Sequence, residues 1–238
     1  MLIKLEDATV EYSRRSERFN AVDHVDLQID TGDFVTIMGK SGSGKTTLMN
    51  LIAGAQHPTS GKVVVAGSDI SSFNDREASR FRNGHIGYVP QSHGLLASLT
   101  VMENVLLPAQ LHGSNRSESD AKAVLERLGI SDLADSFPRS LSGGEQRRAS
   151  IARALINSPD VILADEPTSD LDRDNTETVM RLLTEINREG TTVIVVTHEY
   201  DAAVWGRKLY YMESGRIRDE TYHIADLRQR FTEPFRTH

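Results

Sequence analysis

The run FVTIMGKSGSGKTTLMNLIAG, residues 34–54, decides the fold. Its first five residues, Phe34 to Met38, form a short apolar run, broken only by Thr36, with no polar face, the pattern of a strand buried on both sides in a parallel sheet. Its last nine place Leu48, Met49, Leu51 and Ile52 at helical spacing, with Gly54 as a stop. Between strand and helix lies GKSGSGKT, residues 39–46, which fits G-x-x-x-x-G-K-[ST] in the context that motif requires. Gly39, Gly42 and Gly44, interleaved with Lys40, Ser41 and Ser43, let successive amides turn inward, and the helix start adds a fixed positive field. Such a loop cradles phosphates. Lys45 reaches the β and γ phosphates of ATP, Thr46 offers a hydroxyl to the Mg²⁺ that accompanies it, and Thr47 belongs to the same cradle.

Outward from this unit, residues 2–12 and 25–30 read as two antiparallel strands separated by a polar loop, SRRSERFN. KVVVAG at 62–67 and HIGYVP at 85–90 read as further strands. Residues 92–157 hold no comparable strand run and several helical patterns, so a helical insertion is expected there, with Asp120 capping a helix that stops at Gly129. Strands return in DVILADEP at 160–167 and TTVIVVTH at 191–198. Between them, Val179, Leu182, Leu183 and Ile186 line one helix face, a strand-helix-strand crossover. KLYYMESGRI at 208–217 reads as a hairpin turning at Ser214 and Gly215, and the last 20 residues are polar and of mixed charge.

Composition narrows the function classes. The 238 residues carry 27 Lys plus Arg against 34 Asp plus Glu, a formal net charge of -7, which argues against a general polyanion binder. With no Cys, the chain has neither a disulfide framework nor a thiolate metal site. Its longest apolar stretches, such as VILA at 161–164 and VIVV at 193–196, are far below the roughly 18 residues of a membrane span. Glu6, Asp7 and Glu11 stand where a secretory signal needs an uncharged core, so export is not expected.

Two further segments carry chemistry. VILADE, 161–166, ends a buried strand with two carboxylates that project to opposite sides. Asp165 is the metal-side acid, and Glu166 is left to orient an attacking water and accept its proton. LSGGEQ, 141–146, starts another helix, where Ser142, Gly143, Gly144 and Glu145 form either a second anion site or an ordinary N-cap.

Together and in this order, GKSGSGKT, LSGGEQ and VILADE resemble the ATP-binding-cassette ATPase family over nearly the whole chain. The resemblance implies an α/β fold: a P-loop NTPase core with a parallel sheet, an N-terminal antiparallel β subdomain and a helical subdomain insertion. It implies one nucleotide-binding domain over 1–238, with 1–91 and 158–238 forming the core and 92–157 the helical subdomain. In that family the LSGGE segment closes over the γ-phosphate held by a partner subunit, so a homodimer forming on ATP is expected. Gln91 resembles the glutamine that touches Mg²⁺ or the water and links the site to a membrane partner. His198 resembles the histidine that contacts γ-phosphate, and TSDLD at 168–172 the loop across the dimer seam, with Asp170 where a small or neutral residue is usual. Tyr12 resembles the aromatic residue that stacks on adenine.

TTLMNLIAG, LTVMENVLLP at 99–108 and ILADEPTSDLD narrow the resemblance to the branch of lipoprotein-release, macrolide-export, peptide-antibiotic-resistance and cell-division ATPases. That branch implies a separate integral-membrane permease, docked around Gln91 and residues 92–108, and a place on the cytoplasmic face of the cell membrane. Leu95, Leu96, Leu99, Val101, Val105 and Leu106 are open to either docking or core packing. A second reading is a soluble cassette acting on nucleic acid or ribosomes, for which only the clusters Arg14, Arg15, Arg18 and Arg76, Arg80, Arg82 speak. A third, a small-molecule kinase, leaves LSGGEQ without a role.

Overall fold

The computed structural model describes residues 1–14, 17–92 and 94–218. Two sheets share one buried layer. The first is antiparallel, in the order β2-β1-β4-β5, from β1 (Ile3–Arg14), β2 (Glu17–Ile29), β4 (Ser60–Val65) and β5 (Ser68–Asp69). The second, in the order β10-β9-β3-β8-β7-β6, is built from β3 (Phe34–Met38), β6 (Ile86–Val89), β7 (Val161–Asp165), β8 (Thr192–Thr197), β9 (Lys208–Glu213) and β10 (Arg216–Arg218). Its strands are parallel except β10, which returns antiparallel through a turn with positive φ at Ser214 and Gly215.

Period-2 alternation divides the apolar residues of the parallel strands between two cores. Leu163, Ile194 and Val196 pack toward helix α1 (Lys45–Ile52) and the antiparallel sheet. Ile162, Ala164, Val193 and Val195 pack toward helices α3 (Val101–His112), α4 (Glu118–Arg127), α5 (Gly143–Leu155) and α6 (Arg173–Arg188). Every residue of β7 and β8 is buried, which explains their unbroken apolar runs. Among the described residues the remaining α-helices are α2 (Asp75–His85) and the single turn α7 (Tyr200–Ala203).

Several expectations change. SRRSERFN is not mostly loop: β1 runs on to Arg14 and β2 begins at Glu17, so that Tyr12 faces Phe19 across the hairpin with ring centroids 5.8 Å apart. Cross-strand aromatic packing extends the ladder beyond the buried core. Helix α4 is capped by Ser117, and Asp120 is the third-position partner whose carboxylate accepts from the Ser117 amide. Helix α2 and the short β5 had no apolar signature, since Ala78 is the one buried residue of α2; its sequence mark was Asn74 with Glu77, a capping box. Of the six residues open between docking and core, Val101, Val105 and Leu106 are core, Leu95 and Leu99 half-buried, and Leu96 exposed. The polar stretch from 219 onward lies outside the described residues, as do Arg15 and the Arg14 side chain.

Candidate nucleotide-binding site

Four adjacent parallel strands, β3, β8, β7 and β6, end on one edge, and each is followed at once by a candidate residue. Gly39 follows β3, His198 follows β8, Glu166 follows β7, and Pro90 and Gln91 follow β6. Carboxyl ends of parallel strands are where α/β sheets bind ligands, because loops diverge there and leave a crevice. The crevice here has a volume of about 380 Å³ and is lined by Tyr12, Ser41, Gly42, Gly44, Lys45, Thr46, Thr47, Gln91, Glu166 and His198, together with Phe19 and Ala21.

The loop 39–46 earns its glycines in different ways. Gly42 has φ +78 and open space around it, so it turns the chain. At Gly39 a Cβ would stand 2.3 Å from the Met212 carbonyl oxygen, and at Gly44, with φ +106, 2.0 Å from the Ala21 carbonyl oxygen. These two glycines are therefore needed to seat the loop against β9 and β2. Gly39 and Ser43 are buried beneath the crevice and Lys40 is exposed off its lining, so these three do not face it. Gly44 caps α1 without any side-chain bond, leaving the first amides of the helix available to a ligand.

Lys45 is buried, and its Nζ donates to the carbonyl oxygens of Gly39 at 2.7 Å and Lys40 at 3.0 Å. Burial pushes its pKa down, opposed by the nearby charges of Glu166 and Asp165. Asp165 is 4% exposed. Its Oδ2 accepts from Thr46 Oγ1 at 3.1 Å and from the Tyr88 hydroxyl at 3.4 Å, while its Oδ1 is buried without a partner. Burial raises the Asp165 pKa, with the neighbouring Glu166 acting in the same direction and the Thr46 bond against it. Burial and the same Asp165 charge push the Tyr88 phenol up. Glu166 has left the strand, with φ +49, and its Oε2 lies 2.7 Å from His198 Nδ1.

An orphan carboxylate oxygen beside a hydroxyl is a donor set that suits a hard cation such as Mg²⁺. Among the described residues no three His, Asp or Glu converge as a cage, so such a cation would take its other ligands from phosphate and water. Tyr12 presents a partly exposed ring to the crevice, and its hydroxyl donates to Gln56 Oε1 at 2.8 Å, which fixes the ring plane.

Ser142, Gly143, Gly144 and Glu145 do not line this crevice. Ser142 caps α5: Glu145 Oε2 accepts from the Ser142 amide at 2.7 Å and from its hydroxyl at 2.8 Å, which holds the Glu145 pKa down. Gly144 packs closely on α6, since a Cβ there would meet Asn175 Oδ1 at 2.1 Å. In the TSDLD segment, Thr168 is buried and donates to the Glu199 carboxylate, Ser169 Oγ donates to the Glu166 carbonyl oxygen at 3.0 Å, and Asp170 sits at φ +64.

Residues 22–169 match the ABC transporter family. The chain belongs to that family. Its fold is that of an ATP-binding-cassette ATPase. It is 43% identical over 218 residues to the macrolide export ATP-binding/permease protein MacB of Burkholderia pseudomallei, spanning 91% of this chain and 33% of that longer protein. It is 39% identical over 210 residues to the lipoprotein-releasing system ATP-binding protein LolD of Alcanivorax borkumensis, spanning 87% and 92%. The dimeric post-hydrolysis structure of the cassette MJ0796 of Methanocaldococcus jannaschii, bound to ADP and Pi, superposes with a TM-score of 0.87 at 36% identity over 94% of this chain and 99% of that one. These relatives match the macrolide-export and lipoprotein-release branch and lend no support to the nucleic-acid reading.

Three site features escaped the sequence reading. Phe19 lines the crevice beside Tyr12, Tyr88 reaches Asp165, and the buried Arg147 holds the backbone at Gln91. The first needs the hairpin register. Arg147 had a signal, since it falls at helical spacing with Ile151 and Leu155 on the buried face of α5.

Proposed function

We propose that two copies of this chain close about a twofold axis over two Mg-ATP, hydrolyse them at this crevice, and so drive a separate membrane permease. The observation that carries the reading is the convergence of Lys45, Gln91, Glu166 and His198 on one crevice that Ser142 and Gly144 do not reach. A cassette with two separated phosphate sites completes both when it pairs isologously, each copy lending its α5 start to the other's nucleotide. The domain reading follows: 1–91 and 158–238 as the core that holds ATP, 92–157 as the part that presents Ser142 to the partner.

Each residue has a task that its chemistry suits. Lys45 exchanges the Gly39 and Lys40 carbonyls for phosphate oxygens, a charge-assisted and therefore stronger set of bonds. Thr46 and Asp165, with Gln91, would hold Mg²⁺, which when bound would offset charge on the phosphates. Glu166 accepts the proton of the attacking water, and His198 holds the Glu166 carboxylate and then the γ-phosphate. Tyr12 stacks on the base.

Among the described residues no helix is long and apolar enough to cross a membrane. In this reading, contact with the bilayer runs through the permease on its cytoplasmic side. A groove between α2, α3 and α5, with Leu111 77% exposed at its rim and Tyr88 and Arg153 in its wall, is the docking surface, beside the 92–108 segment.

The deciding experiment uses Glu166→Gln with Mg-ATP. Turnover falls at least 100-fold, nucleotide binding persists, light scattering reports a trapped dimer, and a permease is recovered from native membranes by the variant but not by its Leu111→Asp derivative. Unchanged turnover removes Glu166 from the centre; recovery of ribosomal or DNA-associated proteins alone overturns the membrane role.

A further inference from the structure

Helix α5 carries a buried cation that the crevice chemistry does not use. Arg147 is 1% exposed, and its Nη1 and Nη2 donate to the carbonyl oxygens of Pro90 at 2.6 Å and Gln91 at 2.8 Å. Its Nε has no partner, and the charges that reach it, Asp170 and Asp165, act through space. Burying a guanidinium without an ion pair is destabilising, and an apolar side chain of similar volume would pack the same space at no loss. Packing alone does not explain the residue.

What a guanidinium offers that an apolar side chain cannot is a planar fork. The Pro90 carbonyl belongs to the peptide plane before Gln91 and the Gln91 carbonyl to the plane after it. Fixing both planes fixes the direction in which the Gln91 side chain leaves the backbone. That side chain stands in the crevice wall. Six residues further along the same helix, Arg153 donates to the carbonyl oxygen of Gly94 at 2.6 Å, so α5 holds this strand exit at a second point. The other end of α5 is Ser142.

We infer that Arg147 is the positioning residue of Gln91, a rigid link through which the setting of Gln91 follows the helix that begins at Ser142. The inference rests on the role proposed above for Gln91. When the α5 start meets the partner's nucleotide, any shift of the helix is carried by the fork to the two carbonyls and turns Gln91 with them. Seating of ATP between two copies thus becomes a condition for orienting the water-side glutamine in each.

The test compares Arg147→Met and Arg147→Lys, alone and combined with Gln91→Ala. Arg147→Met is expected to keep or raise the unfolding midpoint, to leave ATP affinity and KM within twofold, and to lower kcat at least tenfold. In the nucleotide-free protein, hydrogen exchange at the amides of Gln91, Ser92 and Gly94 speeds up at least tenfold while the amides of 39–46 are unchanged. Arg147→Lys, a point donor that meets one carbonyl at a time, recovers part of kcat. In the Gln91→Ala background, adding Arg147→Met lowers kcat less than twofold further.

An undiminished tenfold loss in that background would show that Arg147 does not act through Gln91. Stability and turnover falling together in both variants would make it a packing residue. Unchanged exchange at Gln91 and Ser92 would remove the grip itself. A Gln91→Ala enzyme with full kcat would sink the role proposed for Gln91, while exchange still decides whether Arg147 holds the backbone.

Discussion

Two glycine-rich helix starts in this chain, at Gly44 and at Ser142, have similar local chemistry and opposite surroundings. At Gly44 the helix α1 begins with no side-chain cap, and the crevice it faces collects Glu166 and His198 from other strands. At Ser142 the helix α5 begins with a closed capping box, in which Ser142 donates to Glu145 and accepts from its amide, and the residues 142–145 do not line the crevice that holds Glu166 and His198. A helix start becomes a site when other elements bring chemistry to it. The first is completed by its own chain, and in the proposed dimer the second would be completed by the partner's nucleotide.

The contrast can be broken most sharply at the glycines. Gly44→Ala puts a Cβ at φ +106 against the Ala21 carbonyl oxygen and is expected to lower stability by roughly 2–4 kcal/mol in denaturant titration. The same exchange at Gly143, where a Cβ would rest 3.6 Å from Leu171 Cδ2, changes stability by under about 0.5 kcal/mol yet weakens the ATP-dependent dimer. A Gly143→Ala chain that dimerises normally would remove α5 from the seam.

A second way to sharpen it is pH. Burial raises the Asp165 pKa, so the folded protein holds that proton more tightly than the unfolded chain does. The stabilising contribution is full below the unfolded pKa and is lost as pH rises through the folded one. For metal binding the sense is reversed: as pH falls through the raised value the carboxyl becomes neutral. Mn²⁺ affinity measured with nucleotide then drops by about tenfold, or about 1.4 kcal/mol, per pH unit. The drop begins at higher pH than for an ordinary aspartate, and Asp165→Asn removes that share of it, leaving the share set by protonation of the nucleotide's terminal phosphate. An unchanged pH profile in Asp165→Asn would take Asp165 out of the metal site.

The smallest effect belongs to the cap. Ser142→Ala removes the hydroxyl that bonds Glu145 and is expected to destabilise the chain by about 1 kcal/mol without changing nucleotide affinity of the monomer. A change in monomer affinity would mean that α5 already serves its own crevice.

The fold was legible wherever burial left a periodic mark. Phe34–Met38, Val161–Asp165 and Thr192–Thr197 are strands because apolar residues fill both faces, and Leu48, Met49, Leu51 and Ile52 fall on one side of a helix. Helix α2 was not legible, because a helix with one buried residue has no stripe to read. The extension of β1 and β2 escaped for a related reason: Tyr12 and Phe19 stabilise each other across strands, and the register that pairs them is not written in either segment alone.

Of the site, the sequence by itself determined the loop 39–46, the acids at 165 and 166, and the helix start at 142, because each depends on residues within one turn or one strand end. Only the tertiary structure decided that Gln91, Glu166 and His198 share a crevice with Lys45, that Gly39 and Gly44 are held against Met212 and Ala21, and that Arg147 grips the backbone of Pro90 and Gln91. Those relations join residues far apart in the chain. They arise from strand order and helix packing, which local preferences do not encode.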